Sequence, residues 1–402
     1  MIPFTNVSNL GDFVNIFIKN LPKKYDCDII IPRYFTCYSN RADVRILFSY
    51  FDYKNICNAD CIRGTIMDLD YHFGTVYVLS RWADFGSFNA RTIAAASQLV
   101  DDNFDSTPFS DAEEEKNIAR GIQVRYSCQN VWGNISGKGN EDIWIPFHFL
   151  PGLQGETEAE KLVCKKHSVM AKRLKYRLYD TTLDNSNYVF RLGVGMHVLA
   201  DTWAHQEFAG INNAVNQVKD LLFSTQGSMV EKMLDEMLDS TFLSKVLDLV
   251  MPLGHAAAVH CPDMPYLWWK SGERFTGGRK NWDEFMDASE ELYAILQHVS
   301  GVPETGLTME QRDKLSECFK GFQTDDIDRR YGFWIDRIRE NFFDFKDFDD
   351  GDKNVEYSIG LILDDMNWRK QFYDEINDHF FWVKQKLEEN GIDRLGKKYK
   401  GY

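Results

Sequence analysis

One segment constrains this chain more than any other: Gly195-Met196-His197-Val198-Leu199-Ala200-Asp201-Thr202-Trp203-Ala204-His205. Its remaining side chains are almost all apolar, so a helix here is buried on both sides. Positions 197, 201 and 205 are each four apart. At roughly 100° per residue, four residues advance an α-helix by about 400°, so the three side chains project from one face within about 80°. A carboxylate buried there must be paired or metal-bound, because burying it alone is costly. Imidazole with carboxylate suits zinc or a similar divalent ion. A metal-free, hydrogen-bonded His–Asp–His stack satisfies the same triplet, and the triplet alone leaves both readings open.

Related fragments recur. Asp70-Tyr71-His72 opens a helix, and Asp101-Asp102 closes the next. His148 lies in the apolar run Trp144-Ile145-Pro146-Phe147-His148-Phe149, where a bare imidazole is out of place. His255 and His260 flank the small-residue run Ala256-Ala257-Ala258-Val259, with Asp263 just beyond. Six of the nine histidines thus stand in apolar or small-residue settings beside carboxylates. The other three, His167, His298 and His379, have polar helical neighbours and read as surface residues.

Four hundred and two residues, at about 150 per domain, give two to three domains or one large one with additions. Hydrophobic residues at 44 % and charged residues at 27 % exclude intrinsic disorder. A net charge of −15 repels polyanions in bulk, so a phosphate-bearing partner needs a local basic patch or bound cations. No run of eighteen apolar residues is present, which predicts no membrane-spanning helix. The opening MIPFTNVSNLGDFVNIFIKN lacks the basic start of a signal peptide. The eight cysteines are scattered without a CxxC pair, and free thiols in a reducing cytoplasm are the expectation.

Along the chain, residues 1–66 are rich in β-branched and aromatic runs and read as a small, partly β extension. From residue 67 the pattern is helical: 71–82, 89–100, 111–122, 158–179, 187–207, 212–223, 228–249, 283–299, 309–320, 328–343 and 366–388. Residues 67–300 read as a metal-binding core and 301–402 as C-terminal helices packed on it. The fold class is mainly α, a multi-helix bundle.

The order of the His and Asp fragments resembles that of the zinc-dependent phospholipase C and single-strand nuclease superfamily. That order is Asp, then His in an aromatic run, then His-x-x-x-Asp with a following His, then a further His-containing helix. The motifs Asp70-Tyr71-His72, Ser97-Gln98-Leu99-Val100-Asp101-Asp102, Trp144-Ile145-Pro146-Phe147-His148-Phe149 and Ala200-Asp201-Thr202-Trp203-Ala204-His205-Gln206 are similar to an uncharacterised bacterial branch of it. The resemblance covers roughly residues 67–300. It implies a helical bundle holding two or three zinc ions and hydrolysing phosphodiesters, as a nuclease or phospholipase C-like enzyme, with a metal-bound water as nucleophile. The substrate would be a phosphoester, either nucleic acid or a phospholipid head group. By the same resemblance Asp102, His148, His197 and Asp201 hold one metal of a close pair, with Asp201 bridging. His205 and His255, with His260 or Asp263, hold another, and His72 with Asp70 matches the ligand near the first helix. Asp201 would help generate the nucleophile. Asp101 would orient a histidine or water, or else merely end its helix.

Two positions depart from that pattern. The relatives chelate one zinc with their mature N-terminus, whereas His72 lies deep inside this chain, so Asp70 or Asp68 would stand in. Val259 occupies the place of a carboxylate four residues after His255, leaving Asp263 as the substitute.

Other motifs weigh less. The aromatic run Pro262–Trp269 reads as core before it reads as a substrate-stacking lip. The basic stripe Lys161, Lys165, Lys166, Lys172, Arg173, Lys175 and Arg177 reads as a solvated face. Asp344–Asp352 fails the calcium-loop register, since glycine falls at position 5 rather than 6, and reads as an acidic surface loop. An HD-type phosphohydrolase needs a His-Asp doublet, and none is present. A metal-stabilised, non-catalytic binding or effector module, meeting a protein partner through residues 1–66, is the alternative.

Overall fold

A computed structural model of the chain describes residues 35–39, 42–46, 69–104, 109–128, 140–218, 221–224, 261–272, 275–324 and 326–397. The chain divides into two compact units, Met1–Gly64 and Thr65–Tyr402. In the first, strands β1 (Phe35–Ser39) and β2 (Ala42–Ile46) pair antiparallel, with Phe35 opposite Ile46. The second is mainly helical, and residues 301–397 belong to it rather than forming a unit of their own.

The second unit opens with a π-helical turn, Asp70–Thr75, that runs into α1 (Val76–Trp82). There follow α2 (Ser87–Asp102), α3 (Asp111–Ala119), α4 (Asn140–Phe147), the short α5 (Glu158–Lys161), α6 (Val169–Tyr179) and α7 (Tyr188–Ala204). A three-stranded antiparallel sheet, β3 (Leu222–Ser224), β4 (Trp268–Lys270) and β5 (Arg279–Lys280), separates these from the rest. The remaining helices are α8 (Asn281–Ser300), α9 (Met309–Gly321), α10 (Ile327–Arg339), α11 (Asp350–Lys353), α12 (Gly360–Leu363) and α13 (Met366–Glu388).

Helix α7 is the axis. Every residue from Val189 to Ala204 except Arg191 is buried, as a helix apolar on nearly all sides requires. It packs against α2, α6, α8 and α13. Gly193 lets α2 come close: a Cβ there would lie 2.5 Å from Ala96 Cβ and 2.6 Å from the Ile93 carbonyl oxygen. The run Ala94-Ala95-Ala96 supplies the matching small surface. This contact draws the C-terminal end of α2 alongside the polar face of α7.

Several expectations change. The stretch read as one helix over 158–179 breaks after Lys161. There Val163 bridges to Ala209, the Cys164 amide bonds to the Phe208 carbonyl, and the Ser168 hydroxyl caps a new helix. Among the described residues of 212–223, a short 3₁₀ turn and the start of β3 stand in place of the expected helix. The expected helix over 228–249 lies outside the described residues. Met264, Tyr266, Leu267 and Trp269 are buried in a smaller core with Trp144, Phe149 and Phe208, so the aromatic run is core. The basic stripe is partly neutralised within the molecule: Lys166 meets Glu284, Lys175 meets Glu291, and Arg177 meets Asp378. The acidic run 344–352 is no simple surface loop. Asp349 caps α11, and Asp352, wholly buried, accepts hydrogen bonds from Tyr77 and Arg81.

Candidate metal centre

Four segments deliver the site. The end of α2 brings Asp101, the π-helical turn brings His72, the residue after α4 is His148, and α7 brings His197 and Asp201. The extra residue in the π-turn is held by the Thr75 hydroxyl, which donates to the Asp70 carbonyl, and Gly74 packs its open Cα face onto the Trp334 ring. Such turns re-aim one side chain out of the regular helical row. Here that side chain is His72.

The donors converge on two carboxylates. Asp201 turns Oδ1 to His72 Nε2 at 3.2 Å, and Oδ2 to His148 Nδ1 at 3.2 Å and His197 Nε2 at 3.4 Å. Asp101 repeats the pattern at longer range. Its Oδ2 lies 3.9 Å from His72 Nε2, and its Oδ1 lies 3.6 Å from His197 Nε2 and 3.7 Å from His148 Nδ1. Both carboxylates therefore span from the His72 side to the His148–His197 side. The His72 and His197 rings stack with centroids 3.9 Å apart. His72–His197–Asp201 and Asp101–His148–His197 are two overlapping buried groups able to hold a metal ion.

The far nitrogens of two of the three rings are tied down, whereas His197 Nδ1 is buried without a hydrogen bond. His148 Nε2 lies 2.8 Å from the Ser127 carbonyl oxygen. A carbonyl only accepts, so Nε2 carries the proton. Burial holds the His148 ring below its ordinary pKa, against the opposing pull of Asp201. Its Nδ1 faces Asp201 Oδ2 at 3.2 Å. His72 Nδ1 rests 3.4 Å from the Ser97 hydroxyl. A hydrogen bond from the far ring nitrogen to a carbonyl or hydroxyl fixes the orientation a ligating imidazole needs. Meanwhile both oxygens of Asp101, Asp201 Oδ1 and His72 Nε2 are buried without a hydrogen bond. Such groups are costly unless something cationic joins them. Three imidazole nitrogens and two carboxylates fit a divalent transition ion well.

The electrostatics agree. Burial, and next the charge of Asp201, pushes the Asp101 carboxyl well above its ordinary range. Burial pushes up on Asp201 too, but His205 and His197 overcome it and hold that carboxyl well below. Burial brings His72 down and His197 down to about 4.

Other residues marked in the sequence have different partners. Asp102 accepts hydrogen bonds from Tyr357 at 2.7 Å and Gln98 at 3.3 Å, and Asp101 stands in the cluster in its place. Asp70 is paired with Arg330 at 3.1 Å, both side chains buried, which corrects its assignment as a ligand beside His72. Burial lifts its carboxyl to about 7. His205 sits at the edge of the cluster: Nδ1 donates to the His148 carbonyl at 2.7 Å, and Nε2 lies 3.2 Å from Asp263. Burial opposes its charge, yet Asp201 and Asp263 raise it to about 9. His255 and His260 lie outside the described residues. His167 and His298 are about half exposed, as expected, but His379 is buried at 4 % exposure.

A model of the family described as "Family of unknown function (DUF6765)" matches residues 67–392. The chain belongs to the DUF6765 family. The match spans every described residue of the cluster, so the candidate metal centre lies within the DUF6765 portion of the chain. No curated protein and no solved structure matches this DUF6765 chain.

Proposed function

We propose that this DUF6765 protein is a metal-dependent phosphoric-ester hydrolase, nuclease or phospholipase C-like, with zinc as the metal. One observation carries the reading: three buried imidazoles converge on Asp101 and Asp201, two carboxylates that each span the His72 and His148–His197 sides. His72, His148, His197, Asp101 and Asp201 would hold the ions. Bound divalent ions supply Lewis acidity toward water and neutralise the non-bridging oxygens of a phosphodiester. They also bring the positive charge that a chain of net −15 lacks. Ser127 and Ser97 keep His148 and His72 in the ligating orientation. Asp201 stays ionised at the centre of the set, and Asp101 shares its span.

A second reading, a metal-stabilised module without catalysis, is favoured by burial: none of the five side chains exceeds 5 % exposure. Two measurements separate the readings. Elemental analysis of the purified protein is expected to find two or three zinc per chain; none, with stability unaffected by chelator, rejects both. Hydrolysis of bis-p-nitrophenyl phosphate by the wild type and its loss in Asp201→Asn supports the enzyme. Metal without turnover on a panel of phosphoesters leaves the module.

A further inference from the structure

His379 belongs to α13, and its Nε2 lies 2.8 Å from the main-chain carbonyl oxygen of Pro146, 233 residues away. We infer that His379 is a positioning residue for the metal centre: by holding the Pro146 carbonyl it fixes the end of α4, and so aims His148. The inference rests on the metal reading of the site.

The last carbonyls of a helix have no partner within it and must find one elsewhere. At the end of α4 the Trp144 carbonyl takes two amides, those of His148 at 3.2 Å and Phe149 at 2.8 Å. The Pro146 carbonyl faces α13 instead. Because a carbonyl can only accept, the proton on His379 must sit on Nε2. The ring is set for this by its surroundings: it packs on Phe147, with centroids 5.8 Å apart, and on Trp382 at 5.6 Å. Burial drives its pKa down to about 4 and keeps it neutral.

Two residues further on, His205 grips the His148 carbonyl at 2.7 Å. The backbone is thus pinned by one imidazole on each side of Phe147. Between those pins Ser127 tethers the far side of the His148 ring, at Nε2. Its Nδ1 can meet both Asp101 and Asp201 only while the chain leaves α4 in this direction. The rest of α4 is clamped from the same side, by Arg394 on Glu141 and by the Gly396 amide on Asp142. His379 is the one of these contacts that reaches the end bearing His148.

The test uses the full chain, stripped of metal, and titrates Co(II) into wild type, His379→Gln and His379→Asn. Glutamine places its amide nitrogen where His379 Nε2 lies. Asparagine, one methylene shorter, stops near the Nδ1 position and cannot reach Pro146. The expected result is wild-type affinity and visible spectrum in His379→Gln, and a loss of about ten-fold or more in His379→Asn, the scale of a lost outer-shell contact. The rise in melting temperature on adding Co(II) is the second readout, because a defect that only weakens the fold lowers both states alike and leaves that rise unchanged. It is expected to shrink in His379→Asn alone. Equal affinity and an equal rise in all three proteins overturn the inference while leaving the metal centre intact. No Co(II) binding by the wild type overturns the metal reading itself, and this inference with it.

Discussion

Arg81 and Asp352, 271 residues apart, meet in a buried two-point ion pair: Nε to Oδ1 at 2.8 Å and Nη2 to Oδ2 at 2.9 Å. The Tyr77 hydroxyl adds a third bond to Asp352 at 2.6 Å. Asp352 has no exposed surface, so removing it strands a guanidinium in the interior. Asp352→Ala is expected to cost about 3–5 kcal/mol, the range for breaking a buried pair from one side. Urea unfolding of the metal-free protein checks this, and a midpoint unchanged from wild type refutes it.

Asp101 and Asp201 face the same three imidazoles, and Asp101 has no hydrogen bond of its own. Burial beside Asp201 lets the folded, metal-free protein keep the Asp101 carboxyl only at the cost of holding a proton that the unfolded chain releases. Asp101→Asn needs no such proton, so the metal-free variant is expected to gain stability over wild type as pH rises above the ordinary carboxylate range. With metal present the order should reverse, since a ligand is gone. Calorimetry with and without zinc reads both halves.

At Gly193 the contact between α2 and α7 leaves no room for a Cβ, which would lie 2.5 Å from Ala96 Cβ. Gly193→Ala forces those helices apart, with an expected loss of about 1–3 kcal/mol from overpacking. Because Asp101 and the pair His197–Asp201 ride on those two helices, bound metal should fall as well. Thermal unfolding and metal content of the same preparation test the coupling; a destabilised variant with full metal breaks it.

Glu375 gives the protein a pH dependence away from the metal centre. Burial lifts its carboxyl from 4.5 to about 7, and Arg191, 3.6 Å away, offsets only part of the shift. The folded state therefore holds a proton between those values that the unfolded state has released. This group's contribution to stability is full below pH 4.5 and declines as pH rises through 7, by an amount on the order of 2 kcal/mol. Glu375→Gln is expected to flatten the stability profile across that window and to be the more stable protein at pH 8. Parallel profiles for the two proteins would contradict this.

Much of this architecture is legible in the sequence where periodicity is strong. The spacing over 366–388 gives the helix Met366–Glu388, and the apolar run around His197 gives α7. Where main-chain groups find partners far away, periodicity misleads. The break after Lys161 follows from bonds to Phe208 and Ala209 that no local pattern announces. At the centre, His148, His197 and Asp201 are visible as polar residues in apolar company. The choice between Asp101 and Asp102 turns on one residue, about 100° of helix. Only the structure decides it: Ser97, four residues before Asp101, touches His72, whereas Gln98, four before Asp102, bonds to Asp102 itself. His379 was misplaced because its neighbours in sequence are polar, while its neighbours in space are Phe147 and Trp382.

The clamp on α4 also has a consequence in time. All five candidate donor side chains lie within residues 72–201, whereas His379, Arg394 and Gly396 follow far behind them in sequence. A ribosome that has just made Asp201 has produced every candidate ligand, yet the brace on the end of α4 does not exist until α13 has followed. On the proposed reading, the final aiming of His148 waits for α13, and a message cut short before it would yield all five donors without that brace.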